Sequence, residues 1–203
     1  LSPMLDMASA LNDLKHVRQV HVVAVNNECK ELIILLEKPK DTADNIDNEK
    51  TIVCEQVVNN SASQHFSYTL SEEKNAVCTI ADKVGTYLYE PGAALLKAGP
   101  YKLLSARYGV GKLHPNSHLY TSAQAVDFPG RCFRVIAVSG FGKKELKDFM
   151  KGVEKANLTI RNFPSSVAEL RKKLKLKEGG NLYLFATTLA DGEKVLIKCE
   201  KMV

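Results

Sequence analysis

Two histidines stand four residues apart in KLHPNSHLYTS, residues 112–122. On a helix that spacing offers two imidazoles to one metal ion. The same stretch argues against a helix. Pro115 removes an amide donor and drives His114 out of the helical region, while Asn116 and Ser117 favour a turn. No third Cys, His, Asp or Glu follows at a ligand spacing, so no metal is expected. The segment reads as a turn whose imidazoles bond backbone or a partner. Glu90, Lys97, His114, Asn116 and His118 are candidate residues of this middle region, with no chemistry assigned to them.

Other patterns carry less. YGVGK and SGFGKK join glycine to lysine, yet neither completes G-x-x-x-x-G-K-[ST] nor G-x-G-x-x-G behind a strand. Gly109 and Gly111 read as a helix end and a turn. G-x-S-x-G and H-E-x-x-H are absent, and no serine or cysteine is marked out with a base. No complete active site is visible, and no catalytic or cofactor-binding residue is expected.

The cations are more informative. Residues 1–84 carry 8 Lys/Arg against 13 Asp/Glu, a net of −5; residues 131–203 carry 16 against 8, a net of +8. In the last third, Lys143, Lys144 and Lys147 crowd one predicted helix. Arg161 and Asn162 end a strand, and Arg171, Lys172, Lys173 and Lys175 fill the next helix. Such a set can track a phosphate backbone, and Phe163 offers a stacking surface. The alternative is a solvated lysine face with Phe163 in the core.

These residues need elements to hold them. Ser2 and Pro3 read as a cap and first turn for an amphipathic helix over residues 4–17. Asn26 and Asn27 suit a tight turn between strands Val20–Val25 and Cys29–Leu36, with a helix over 28–38 as the competitor. Residues 38–50 read as a polar loop. TIVCEQVV and the alternating HFSYTLSEEK read as strands, so that one helix and several strands form half of a doubly wound sheet. Residues 85–130 hold a short strand ending at Glu90 and Pro91, then two short helices closed by Gly99 and Gly109. From Arg131 the order is β-α-β-α-β-β, with the first helix over KKELKDFMKGVEKA, the second over SSVAELRKKLKL and a hairpin turning at Asp191–Gly192. That order makes one mixed sheet with two helices on a single face.

Cys29, Cys54, Cys78, Cys132 and Cys199 are odd in number and scattered, which favours reduced thiols in a cytoplasm. No apolar run nears 18 residues and no export signal opens the chain. LSPMLD, without a leading methionine, looks like the start of a piece cut from a longer protein.

Several stretches together resemble bacterial class I S-adenosylmethionine-dependent methyltransferases with a THUMP-like C-terminal domain. They are LSPMLD, VHVVAVNNECKEL, YLYEPGAALLKAG, KLHPNSHLYTS, PGRCFRV and RNFPSSVAELRKKLKLKEGGNLYLFATTLADGEKVLIKC. The resemblance implies a mixed α/β and α+β architecture in three parts. Residues 1–84 would be the trailing part of a Rossmann-like sheet, 85–130 a small ferredoxin-like or linker subdomain, and 131–203 the THUMP-like domain. It implies S-adenosylmethionine as cofactor of the parent protein but not of this chain, whose sequence lacks the family's glycine-rich turn. Structured RNA, tRNA or rRNA, is the implied partner, with no DNA and no membrane. Ser2 and Pro3 would border a substrate pocket. The rival reading is an interaction or dimerisation module without an RNA role.

Overall fold

A computed structural model describes residues 1–2, 4–38, 49–58 and 63–202. Pro3 and most of the predicted polar loop at 38–50 lie outside the described residues. The chain divides into two compact units: Leu1–Val77 with Pro91–Leu104, and Cys78–Glu90 with Ser105–Val203.

In the first unit, helix α1 (Met7–Asp13) is shorter than the periodicity over 4–17 predicts. Asp6 is its cap, with Oδ1 accepting the Ser9 amide at 2.8 Å. Leu14 turns extended, His16 takes a positive φ of 61°, and Val17 already belongs to strand β1 (Val17–Val25). Asn26 and Asn27 sit at φ 49° and 63°, the left-handed pair that a two-residue hairpin demands. They join β1 antiparallel to β2 (Glu28–Leu36), and the competing helix over 28–38 is absent.

Strand β3 (Thr51–Val57) runs parallel to β1, and β4 (Gln64–Thr69) antiparallel to β3, in the order β2-β1-β3-β4. The alternation through HFSYTLSEEK stops early. Thr69 forms a capping box with Glu72 and starts helix α2 (Leu70–Asn75). Val20, Val22 and Ala24 of β1 share one buried face with Leu32, Ile52, Cys54, Phe66 and Tyr68. Helix α3 (Ala93–Ala98) packs against β1, β2 and β3, and the Tyr68 hydroxyl donates to Ala98 O at 2.7 Å. Each large apolar side chain buried in this way contributes roughly 1.5–3 kcal/mol. Gly99 ends α3 at φ 83°, which a side chain would strain.

Leu1 pairs both ways with Leu32. Its nitrogen donates to Leu32 O at 2.8 Å, and its carbonyl accepts the Leu32 amide at 3.2 Å. Mutual bonds between two residues are the signature of antiparallel pairing, so the outer edge of β2 is engaged there.

The second unit holds a seven-stranded sheet. Its strands are β5 (Tyr87–Pro91), β6 (Gly111–Lys112), β7 (Tyr120–Ser122), β8 (Gly130–Ser139), β9 (Asn157–Arg161), β10 (Leu182–Thr188) and β11 (Lys194–Lys201). They lie in the order β6-β7-β5-β8-β11-β10-β9. Helix α4 (Tyr101–Tyr108) closes at Gly109, as the sequence predicts. From Gly130 the predicted β-α-β-α-β-β order holds. Helix α5 (Lys143–Phe149) is half the predicted length, because Met150 caps it and Gly152 turns the chain at φ 75°. Helix α6 (Val167–Leu174) starts at a Ser166–Glu169 capping box and ends on Lys175 at φ 54°.

Both helices lie on one face of this sheet. Phe149, Leu158, Leu170, Leu176, Leu184 and Leu196 form the core beneath them. On the opposite face Phe133, Phe185, Ile197 and Cys199 pack with Leu88, Leu113 and Leu119 from the preceding segment. The architecture is a mixed α/β fold, with a mixed sheet in each unit.

Candidate nucleic-acid interface

The apolar run YLYEP becomes β5, and all of it from Leu88 onward is buried, including Glu90 at 1% exposure. A carboxylate there must be paired. Two arginines pair it. Arg131, one residue into β8, donates Nε to Glu90 Oε2 at 2.7 Å and brings Nη2 onto the same oxygen. Arg161, the last residue of β9, donates Nη2 and Nε to Oε1 at 2.7 and 3.0 Å. Both acceptor oxygens are occupied, and the triad keeps one net positive charge.

The turn at 114–117 abuts the same strand end. His114 O accepts the Ser117 amide at 3.1 Å, which closes the turn that Pro115 and Asn116 predict. His114 Nδ1 accepts the Asn116 amide at 3.0 Å and lies 3.0 Å from Asn162 Nδ2. An amide N–H can only donate, so Nδ1 is the bare nitrogen and the ring proton sits on Nε2. The expectation of imidazoles bonded to backbone is met at His114. His118 takes φ 51° and Asn162 φ 49°. Burial, then the charges of Lys112 and Arg161, push the His118 imidazole from 6.5 down to about 4.

Residues drawn from two separate parts of the sequence thus meet: Glu90, His114, Asn116 and His118 from the middle, Arg161 and Asn162 from the last third. Lys97 does not join them. It lies on α3 of the first unit, where its charge adds to the Ser9 hydrogen bonds that lower the Asp6 carboxyl and opposes the burial that raises the Cys29 thiol.

The remaining cations form a second set. Lys143, Lys144 and Lys147 on α5, Lys172 and Lys173 on α6, and Lys175 at its cap are all exposed. Among the described residues none is in an ion pair, and Lys173 lies over the Phe141 ring at 5.5 Å. Arg171 behaves differently: it is half-buried, donates Nη1 to Ala156 O at 3.4 Å and faces Glu178 at 3.9 Å, so it braces the fold. Phe163 is also structural. Its ring packs on Phe141 with centroids 4.9 Å apart, over the core beneath the helices.

Arg131 was not among the sequence candidates. The available signal was Glu90 itself, a carboxylate inside an aromatic strand, but only the topology names its partners. Among the described residues no three His, Cys, Asp or Glu side chains gather as metal ligands. No helix among them is long and apolar enough to cross a membrane.

The order of elements and the basic helices define a class first. Residues 130–201 match the family model described as THUMP domain-like, and residues 87–129 match the one described as a ferredoxin-like domain. The chain carries a THUMP-like domain behind a ferredoxin-like one. Beyond the class, the whole chain is similar to a solved protein from Porphyromonas gingivalis W83, described as a "putative methyltransferase". The two are 39% identical with a TM-score of 0.88, over 100% of this chain and 50% of the other. The chain spans half the length of the solved protein it matches. No curated protein matches it.

Proposed function

We propose that this chain is the C-terminal part of a class I S-adenosylmethionine-dependent methyltransferase of the bacterial cytoplasm, and that its THUMP-like domain docks structured RNA. The carrying observation is the set of exposed, unpaired lysines on α5 and α6 of a domain that matches the THUMP-like model. Six cations free of carboxylates on one face of a sheet suit a phosphate backbone, where each contact releases a counterion. On this reading the methyl donor is held by the parent protein outside this sequence. What this chain does is hold RNA in place, and fixed orientation is itself a large part of rate acceleration.

Fluorescence anisotropy with a labelled tRNA tests this. Binding by the 203-residue chain should weaken with salt at a log–log slope of roughly −0.7 to −0.9 per phosphate contact. Lys172→Glu, Lys173→Glu and Lys175→Glu together should abolish it. Unchanged RNA retention in that triple variant sinks the RNA reading in favour of a protein-interaction module. Calorimetric titration with S-adenosylmethionine should give no binding heat; micromolar affinity would overturn the assignment of the donor site to the other half.

A further inference from the structure

We propose that the cluster around Glu90 is a phosphate-binding site, in which Arg131, Arg161, Asn162 and His114 take a single phosphate group of the docked RNA. The source of that phosphate rests on the RNA reading above; the site itself does not.

The donor inventory comes first. Glu90 receives Nε and Nη2 from each arginine, which leaves Nη1 of both guanidiniums uncommitted. Their side chains are 30% and 36% exposed, against 2% for that of Glu90. Neither arginine has another acidic partner. A pure brace needs one guanidinium for one carboxylate. Two leave a positive charge partly withdrawn from water, a cost that an anion would relieve. Guanidinium forks also match phosphate oxygens, and here Glu90 fixes their planes in advance.

A second observation points the same way. Thr187 is fully buried and its Oγ1 has no hydrogen-bond partner. It is the parallel-register neighbour of Arg161, so it lies on the same face of the sheet. The Thr187 hydroxyl thus keeps unspent hydrogen-bonding capacity on the face from which Arg161 extends. His114 adds a directed donor, because the Asn116 amide holds its Nδ1 and leaves Nε2–H facing away from the turn. Asn162 sits on this cluster at φ 49°, and its carbonyl is fixed by the Thr188 hydroxyl at 2.7 Å. The charged groups of the cluster that remain unspent are both guanidinium donors, which favours an anion.

The placement explains how one RNA would meet both sets of cations. Arg161 ends the edge strand β9 on the face away from α5 and α6, and the chain then passes through Asn162 into α6. A strand of RNA that crosses this edge leaves the mobile lysine charges and reaches a fixed one.

The probe is inorganic phosphate, titrated into the 203-residue chain at constant ionic strength, with the side-chain NMR signals of Arg131, Arg161 and His114 followed. Saturable shifts at millimolar phosphate are expected, absent with acetate. The discriminating variant is Asn162→Asp, which tolerates the left-handed backbone but repels an anion. It should remove the phosphate response at unchanged Tm. It should also weaken RNA binding about three- to tenfold and lower the salt slope by about 1. A wild-type chain that shows no saturable response overturns the site, whatever RNA does. A phosphate response without any RNA binding keeps the site and sinks the RNA reading. RNA binding that Asn162→Asp leaves unchanged overturns the assignment of this phosphate to the RNA.

Discussion

The two sheets are built from similar numbers of buried apolar residues, and they differ in what they leave outside. The first unit leaves apolar side chains: Ile33, Leu35 and Leu36 on β2 and Val57 on β3 are exposed. The second leaves cations on α5, on α6 and around Glu90, beside exposed apolar side chains of its own at Ile136 and Val138 on β8 and Val167 on α6. Apolar residues on the outer strand of a sheet await another layer or strand, since a protein surface tolerates only small contiguous apolar patches. Unpaired cations await a polyanion. On the RNA reading proposed above, the second unit is the one that meets nucleic acid, and the first offers an apolar outer strand instead.

The largest expected effect separates the two by stability. Glu90→Gln leaves two half-buried guanidiniums without their carboxylate, at a cost of about 2–4 kcal/mol after allowing for their partial hydration. Each unit carries its own reporter: burial pushes the thiols of Cys54 and Cys199 up to about 12 and keeps both from reagent. In Glu90→Gln, Cys199 should become reactive to a thiol reagent in mild urea while Cys54 stays protected. Simultaneous labelling of both would erase the distinction between the units.

RNA affinity should divide them next. Lys15→Glu, Lys30→Glu and Lys38→Glu together, all in the acidic first unit, should change tRNA affinity less than twofold, against its loss in the α6 triple variant. An equal loss would remove the assignment of binding to the THUMP-like domain.

Acidity sharpens the comparison further. The native His118 binds its proton near pH 4, while an unfolded histidine does so near 6.5. As pH falls from 6.5 towards 4 the unfolded chain takes up a proton that the native one refuses, so stability falls over that window and is unaffected above it. The second unit should therefore lose urea resistance between those values, less steeply in His118→Gln, and the His118 ring proton should titrate well below 6.5 by NMR.

The smallest effect belongs to the hairpin of the first unit. Asn26→Ala at φ 49° should cost about 1 kcal/mol in urea unfolding, and Asn26→Gly close to nothing. Equal costs for both would mean that the side chain, not the backbone, sets that turn.

Local chemistry was legible in the sequence. The Asn26–Asn27 hairpin, the Ser166–Glu169 cap and the turn that Pro115 forces all follow from residues within four positions of one another. Helix lengths were not, because α5 stops where Met150 and Gly152 break a periodicity that runs on in the sequence, and α1 starts at Asp6 instead of Ser2. The candidate cluster was legible only in pieces. His114 and Asn162 were both marked, yet nothing local to either says that they touch, and Arg131 passed as the first residue of a strand. The seven-stranded sheet brings them together by ordering its strands quite differently from the chain.

That ordering has a consequence for how the protein is made. Glu90 waits 41 residues for Arg131 and 71 for Arg161. Such distant closures are slow to form, since the entropy of the loop is spent before the contact repays it. A chain leaving the ribosome holds β5 with an uncompensated carboxylate until β8 brings Arg131, and the second arginine follows only with β9. Burying that strand before then is unfavourable, so the ferredoxin-like segment gains its buried carboxylate's partner only from the first strand of the THUMP-like one.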